Sequence, residues 1–261
     1  MGGLAVSYEV ADRIGKITLN RPEQRNAMSP ELLDAFSEAI SRAQGDGAIR
    51  CLVITGQGRC FSAGADLRSS LQRTDLGKPS AESSFAMYEP FLGVLDVKVP
   101  VVAALNGHTV GGGFGLALLA DIRVANKEAK YGVNFARLGI HSGLGISYLL
   151  PRLVGPAHAA ELLFTGRLIS GSDALRMGLV THATDPADVL PTALQIATGI
   201  AASAPRAVQQ MKASIRRGLG WKIRHAAREE AELQATSLTT EDAQEGIAAM
   251  LEKREPEFTG Q

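Results

Sequence analysis

Twice along this chain a short run of mostly apolar residues ends in a glycine-bearing turn. Ile49–Thr55 leads into GQGRCFSAGADL (56–67), and Val99–Leu105 breaks at Asn106-Gly107 before Gly111-Gly112-Gly113 opens FGLALLA, with a short strand, DIRVA, behind it. Strands with apolar residues at successive positions, and so on both faces, suit a parallel sheet covered on both sides, and helices must supply the cover. The flanking pattern agrees. Ile14–Asn20 alternates apolar and polar residues and stops at Arg21-Pro22. After the loop RPEQRNAMS, Ser29-Pro30 supplies an N-cap and a first-turn proline, and Leu32, Leu33, Phe36, Ala39, Ile40 and Ala43 recur at helical spacing until Gly45. The class expected is α/β.

Farther along, Leu67–Pro79 is polar and aperiodic, which predicts a loop, and a helix is predicted from Glu82 to Leu95. Helical segments dominate from Gly143, and Pro205 opens RAVQQMKASIRRGL followed by one long charged helix to about Arg254. The composition shifts near residue 200, so the expected organisation is a core over 1–200 and a helical region over 201–261.

Charge excludes several partners. Twenty-seven Lys and Arg balance 27 Asp and Glu, which removes the field that would hold nucleic acid or an anionic membrane. Two cysteines, Cys51 and Cys60, are too few to frame 261 residues with disulfides, and MGGLAVSYEVADR lacks a basic stretch followed by a long apolar one. The longest uncharged stretch, Val99–Ala120, contains Pro100, Asn106, His108, Thr109 and five glycines, a poor membrane span. These features predict a soluble cytoplasmic protein with reduced thiols.

The two turns are the chemical candidates. A glycine turn that opens a helix presents unpaired backbone N–H groups, and Gly111-Gly112-Gly113 does so; the bland reading is tight helix-on-strand packing. Ser62-Ala-Gly-Ala-Asp-Leu67 leaves a buried strand in a small-residue turn, with Asp66 as a helix cap in the bland reading. Taken together, they can aim one N–H each at a single carbonyl oxygen. A dinucleotide fingerprint is excluded because Leu116 stands where a third glycine belongs; no P-loop, nucleophile elbow or metal-ligand cluster is evident.

These motifs resemble the enoyl-CoA hydratase/isomerase family, the crotonase superfamily. The resemblance runs from about Val6 to Phe258 through LNRPEQRNAM (19–28), LVITGQGRCFSAGADL (52–67), VPVVAALNGHTVGGGFGLALLADIRVA (99–125), LPRLVGPAHAAELLFTGRLISGSDALRMGLV (150–180) and KREPEFTG. It implies a ββα spiral with a C-terminal helical trimerisation region, assembled as a trimer or dimer of trimers. It also implies acyl-CoA thioester substrates, no cofactor beyond their CoA moiety, and a carbonyl polarised by the N–H groups of Ala65 and Gly112. The CoA moiety would lie against Arg25, Ala27, Ala63 and Ala65, and then Asp66, Leu67, Arg68 and Gly112.

The chain departs from the family's hydratases where they carry two acid/base glutamates: those positions are Gly115 and Phe135. Aspartates used by dehalogenase and naphthoyl-synthase relatives align with Gly143 and about Ser142. Conventional hydration is therefore not expected. What remains nearby is Asn134, Arg137, His141 and Ser142; a histidine is a competent acid/base near neutral pH, and the bland readings are a structural His141 and a buried, satisfied His108. Three readings stay open: a lyase or isomerase of the family, a different enolate chemistry (isomerisation, decarboxylation, C–C hydrolysis), or a catalytically silent acyl-CoA-binding protein. Arg206, Lys212, Arg216, Arg217, Lys222, Arg224 and Arg228 form a cationic run that would contact CoA phosphates or be a solvated helix face.

Overall fold

The computed structural model of the protein describes residues 4–66 and 79–261. Most of the loop expected over Leu67–Pro79 lies outside the described residues, as do Leu67 and Arg68 of the expected CoA contacts. The chain opens with an antiparallel pair, β1 (Val6–Ala11) and β2 (Ile14–Leu19), and α1 (Pro30–Gly45) follows, capped by the Ser29 hydroxyl accepting from Leu32 N.

Thereafter strands come in pairs that split between two sheets. Strands β3 (Cys51–Gly56), β5 (Val101–Leu105), β7 (Ile122–Asn126) and β10 (His182–Thr184) join the six-stranded sheet in the order β1-β2-β3-β5-β7-β10. Their successors β4 (Cys60–Ser62), β6 (His108–Val110) and β8 (Lys130–Gly132), with β9 (Ile169–Ser170), form a four-stranded sheet in the order β4-β6-β8-β9. Helices α2 (Ala81–Leu92), α3 (Gly112–Leu119) and α4 (Ile146–Thr165) follow successive strand pairs, so each turn of chain is strand, strand, helix.

The apolar runs now have their reason. Along β3, Leu52 and Ile54 enter the main core with Phe36, Phe91 and Phe114, whereas Cys51 and Val53 point to the other face, under Val189, Ala193, Ala197 and Ala201 of α6 (Val189–Ala202). With both faces covered, no position on the strand faces solvent, and the hydroxyl of its polar residue, Thr55, donates to Ala104 O (2.9 Å).

Past α5 (Gly171–Arg176) and α6, the C-terminal region is three helices: α7 (Pro205–Ile215), α8 (Leu219–Ser237) and α9 (Glu241–Glu252). The single long helix expected to about Arg254 is corrected here, because Thr240 accepts from Ala243 N and starts α9 as an N-cap. The helix expected to reach Leu95 likewise ends at Leu92 and tightens into a 3₁₀ turn over Gly93–Asp96.

The cationic run is largely consumed inside the molecule. Asp121 accepts from Val101 N (2.7 Å) and pairs with buried Lys212 (2.9 Å) and with Arg216 (2.6 Å), Arg224 pairs with Asp96 (2.6 Å), and Arg228 lies over the Phe85 ring. Burial pushes the Lys212 amine down, with Asp121 pulling the other way.

Candidate functional site

The two glycine turns meet because of strand register. Strand β4 pairs with β6 in parallel, Ser62 opposite Thr109, so both turns leave the same edge of the small sheet and Ala65 and Gly112 each lie three residues beyond a paired residue. Their approach is close: a methyl group on Gly64 would fall 3.0 Å from Gly112 N and 2.8 Å from the Val110 carbonyl oxygen. Gly64 sits at φ +81° and Gly111 at φ +56°, backbone that a side chain disfavours.

The local pairing engages neither amide within its own turn. Met28 forms a parallel bridge with Ala65, its N–H donating to Gly64 O (2.8 Å), and this pairing turns the amide of Ala65 itself away from Met28. Gly112 is the first residue of α3, and a helix has no internal acceptor for its first amides; Gly111 N, one residue earlier, donates to Gly132 O (3.0 Å).

Asn26 locks the loop carrying Arg25, Ala27 and Met28 against the first turn. Asn26 is buried at φ +52°; its side-chain amide donates to Gln57 O (3.1 Å) and Cys60 O (2.8 Å), while its backbone carbonyl accepts from the Ser62 hydroxyl (2.8 Å). Ala63 N donates to Arg25 O (3.0 Å), which brings Arg25, Ala27, Ala63 and Ala65 together, with Asp66 following; the Arg25 side chain is exposed.

Beside Gly112 stand Met28 and Tyr88 of α2. Met28 Sδ occupies the space of a Gly112 side chain, and Tyr88 Cε1 lies 3.4 Å from that point. The Tyr88 ring also fills the side-chain space of Gly143, its hydroxyl oxygen 2.8 Å from where a Cβ would be. Gln234 of α8 holds that hydroxyl: Nε2 lies 3.1 Å and Oε1 3.3 Å from it, and Nε2 also donates to His141 O (2.9 Å). Burial pushes the phenol up to about 12.

Asn134 lies beside the neighbouring glycine, with Oδ1 3.7 Å from the side-chain position of Gly111 and the Phe135 ring 3.8 Å from it. Phe135 is buried, and the side-chain space at Gly115 is filled by Leu144, 2.6 Å from a Cβ there. His141 is half-buried; its Nδ1–H donates to Ser142 O (2.8 Å), and its backbone N–H donates to the Ser237 hydroxyl (3.0 Å). It does not begin a helix, because α4 starts at Ile146. Ser142 is buried beside Glu230, whose carboxylate accepts from Gly145 N (2.5 Å) and Ser147 N (2.7 Å). Burial raises the Glu230 carboxyl, although both amides oppose the shift. His108 is a correction: it is exposed, and its Nδ1 accepts from Lys130 N (3.0 Å).

Tyr88, Gln234, Glu230 and Asn26 were not singled out in the sequence. The legible trace of Tyr88 is indirect, since Gly112 and Gly143 give up side-chain volume that a distant ring then fills. Among the described residues no group of three or more His, Cys, Asp or Glu could hold a metal ion, and no helix is long and apolar enough to cross a membrane.

The spiral superposes on a solved enoyl-CoA hydratase/isomerase from Pseudoalteromonas atlantica with a TM-score of 0.87, at 30% identity over 98% of this chain and 100% of that one. This is the crotonase fold. The family model for enoyl-CoA hydratase/isomerase matches residues 9–261. The (E)-benzylidenesuccinyl-CoA hydratase of Thauera aromatica is 34% identical over 98% of this chain and 100% of its own length. A crotonyl-CoA hydratase from Syntrophomonas wolfei is also 34% identical, over 97% of both. The chain belongs to the enoyl-CoA hydratase/isomerase family of acyl-CoA-processing enzymes.

Proposed function

We propose that the protein binds an acyl-CoA thioester with its carbonyl oxygen between the amides of Ala65 and Gly112, which stabilise the enolate formed there. The observation that carries this is the Ser62–Thr109 register, which puts Ala65 and Gly112 at equivalent offsets on adjoining turns. Donors fixed before reaction need no reorganisation, and each is worth about 3–4 kcal/mol. The CoA portion would follow the Asn26-locked loop past Arg25, Ala27, Ala63 and Asp66, with no cofactor beyond the CoA of the substrate.

Apolar fillings at Gly115 and Phe135 leave hydration without its two carboxylates, so Asn134, His141 and Ser142 are the nearby polar candidates. The same fillings favour a second reading, a silent acyl-CoA-binding protein; against it, both amide-presenting turns are kept, and binding of CoA alone needs no polarised carbonyl. Titration and turnover on a panel of acyl-CoAs separate the two. Gly112→Val, placed against Met28 and Tyr88, should abolish turnover and impair binding in a folded protein; wild-type activity would remove Gly112 from the mechanism.

We also place this chemistry in the cytoplasm and in a trimer or dimer of trimers, with residues 1–200 as the spiral and 201–261 as the contact region. Met211 and Ile215 of α7 are 57% and 82% exposed, an apolar stripe that a neighbouring copy would cover.

A further inference from the structure

Helix α3 begins at Gly112, and at its other end, about 10 Å away along the axis, Leu118 and Leu119 border a cavity of about 420 Å³. Its remaining walls are aliphatic too, with Leu149 and Leu153 of α4, Ile200 of α6 and Ile223 of α8. Arg123 of β7 lines the same cavity and is only 6% exposed. Asp121, the one carboxylate among the lining residues, pairs instead with Lys212 and Arg216. Carbonyl groups fix the Arg123 guanidinium: Nε donates to Leu179 O (2.7 Å) and Nη1 to Ala120 O (2.7 Å). Nη2 has no partner among the described residues, yet every sealed side-chain nitrogen and oxygen there is hydrogen-bonded, so Nη2 opens onto the cavity. Three cations against one carboxylate leave this wall with positive charge in excess. Burial, with the Arg216 charge adding to it, pulls the Arg123 guanidinium down to about 10 against the opposing pull of Asp121; it stays charged at neutral pH without an ion-pair partner.

We propose that this cavity is a binding site for an aliphatic carboxylate, its chain against the leucines and isoleucines and its head group on the unpartnered N–H groups of Arg123. A cavity of this size, mostly apolar with a single convergent polar group, has the make-up of a small-molecule site. A guanidinium held by two carbonyls presents its remaining donors in a fixed plane, the geometry a carboxylate accepts. A neutral chain would leave Nη2 unmatched, and a small hydrophilic anion would leave the aliphatic walls wet. Met211 and Ile215 stand exposed among the lining residues, so a neighbouring copy seated on that stripe would cover the ligand rather than replace it. Because Gly112 lies at the opposite end of α3, the site is independent of the thioester reading.

The test is calorimetric titration of the full-length protein with decanoate below its micelle concentration. Decanol supplies the chain without the charge, and acetate the charge without the chain. Wild type should bind one decanoate per chain and each of the other probes at least about tenfold more weakly, since one forfeits a charged hydrogen bond and the other buried apolar area. Arg123→Met keeps the bulk and removes the charge, so decanoate should weaken by at least about tenfold while decanol binding is unchanged. Leu153→Trp fills the cavity and should abolish binding of both, and it decides the matter if Arg123→Met does not fold. Saturating butyryl-CoA should leave decanoate binding unaffected. Equal affinity for decanoate and decanol would overturn the role of the carboxylate. Undiminished decanoate binding in both variants, displacement by butyryl-CoA, or no binding to wild type would overturn the site. Decanoate bound by Ile215→Glu but not by wild type would mean that a second copy fills the cavity, and would overturn it as well.

Discussion

Adding one methyl group at Gly64 should separate the two amides without touching a substrate-facing side chain. In Gly64→Ala the new Cβ meets only backbone: Val110 O at 2.8 Å and Gly112 N at 3.0 Å. Ordinary contact begins at 3.4 Å, so the turns must part by 0.4–0.6 Å (3.4 − 3.0 and 3.4 − 2.8). Left-handed backbone at φ +81° adds about 1–2 kcal/mol for an L side chain. A misplacement of about 1 Å costs on the order of 10²-fold in rate, and loss of a whole oxyanion donor about 10²–10³-fold, so half an ångström should cost about 10- to 100-fold in turnover. A thioester labelled with carbon-13 at its carbonyl reads polarisation directly, because its resonance moves downfield when the oxygen is held by donors. Gly64→Ala should shrink that displacement while CoA affinity changes little. Gly47→Ala, where nothing lies within 4 Å of the added Cβ, is the control. A folded Gly64→Ala protein with full displacement and full turnover would refute the reasoning that the separation of the turns sets the chemistry.

Hydration of crotonyl-CoA should be very slow, because general acid/base catalysis contributes about 10²–10⁴-fold and neither carboxylate is present; a rate typical of a two-glutamate relative would mean another residue has taken over, and His141→Ala would then have to abolish it. Glu230→Gln leaves one of two buried amides facing an NH2 group and should cost about 1–3 kcal/mol, or roughly 2–12 °C in melting temperature for a chain this long. Because burial raises the Glu230 carboxyl, its stabilising contribution is full below the ordinary glutamate range and fades as pH rises through the raised value. The gap between wild type and Glu230→Gln should therefore be widest in acid and narrow as pH rises, and a gap that widens with pH by thermal unfolding contradicts this. Light scattering at micromolar concentration should give a multiple of the 27.5 kDa chain, whereas Ile215→Glu should shift the mass downward; a wild-type mass of one chain defeats the assembly.

The repeated strand-and-turn unit was legible because its signals are local: apolar runs such as Cys51–Thr55, a cap at Ser29, glycines where the backbone turns. That the two glycine turns adjoin was also within reach, since both follow strands of one sheet. What the sequence did not carry was the far wall. Tyr88 lies on an apolar helix stripe indistinguishable from core, and its partner Gln234 sits on a charged helix whose buried face includes Ile223, Ala227 and Glu230. Glu230 and Lys212 read as ordinary helix-surface charges, because the groups that satisfy them, Gly145, Ser147 and Asp121, are remote in sequence. The α8–α9 break was missed for a smaller reason, a threonine whose value as a cap depends on where the preceding turn happens to end.

The hydrogen bond between Tyr88 and Gln234 joins residues 146 positions apart. A ribosome adding about 5–20 residues per second would need roughly 7–30 s to cover that distance, during which the tyrosine's helix exists without its partner. Glu230 imposes the same wait on the 142–147 segment. The packing against Gly112 and Gly143 is thus finished from the last helices backward, and a nascent chain would hold a nearly complete spiral whose Tyr88 and 142–147 segment still lack their partners. These contacts would then form late in synthesis and together, when α8 docks.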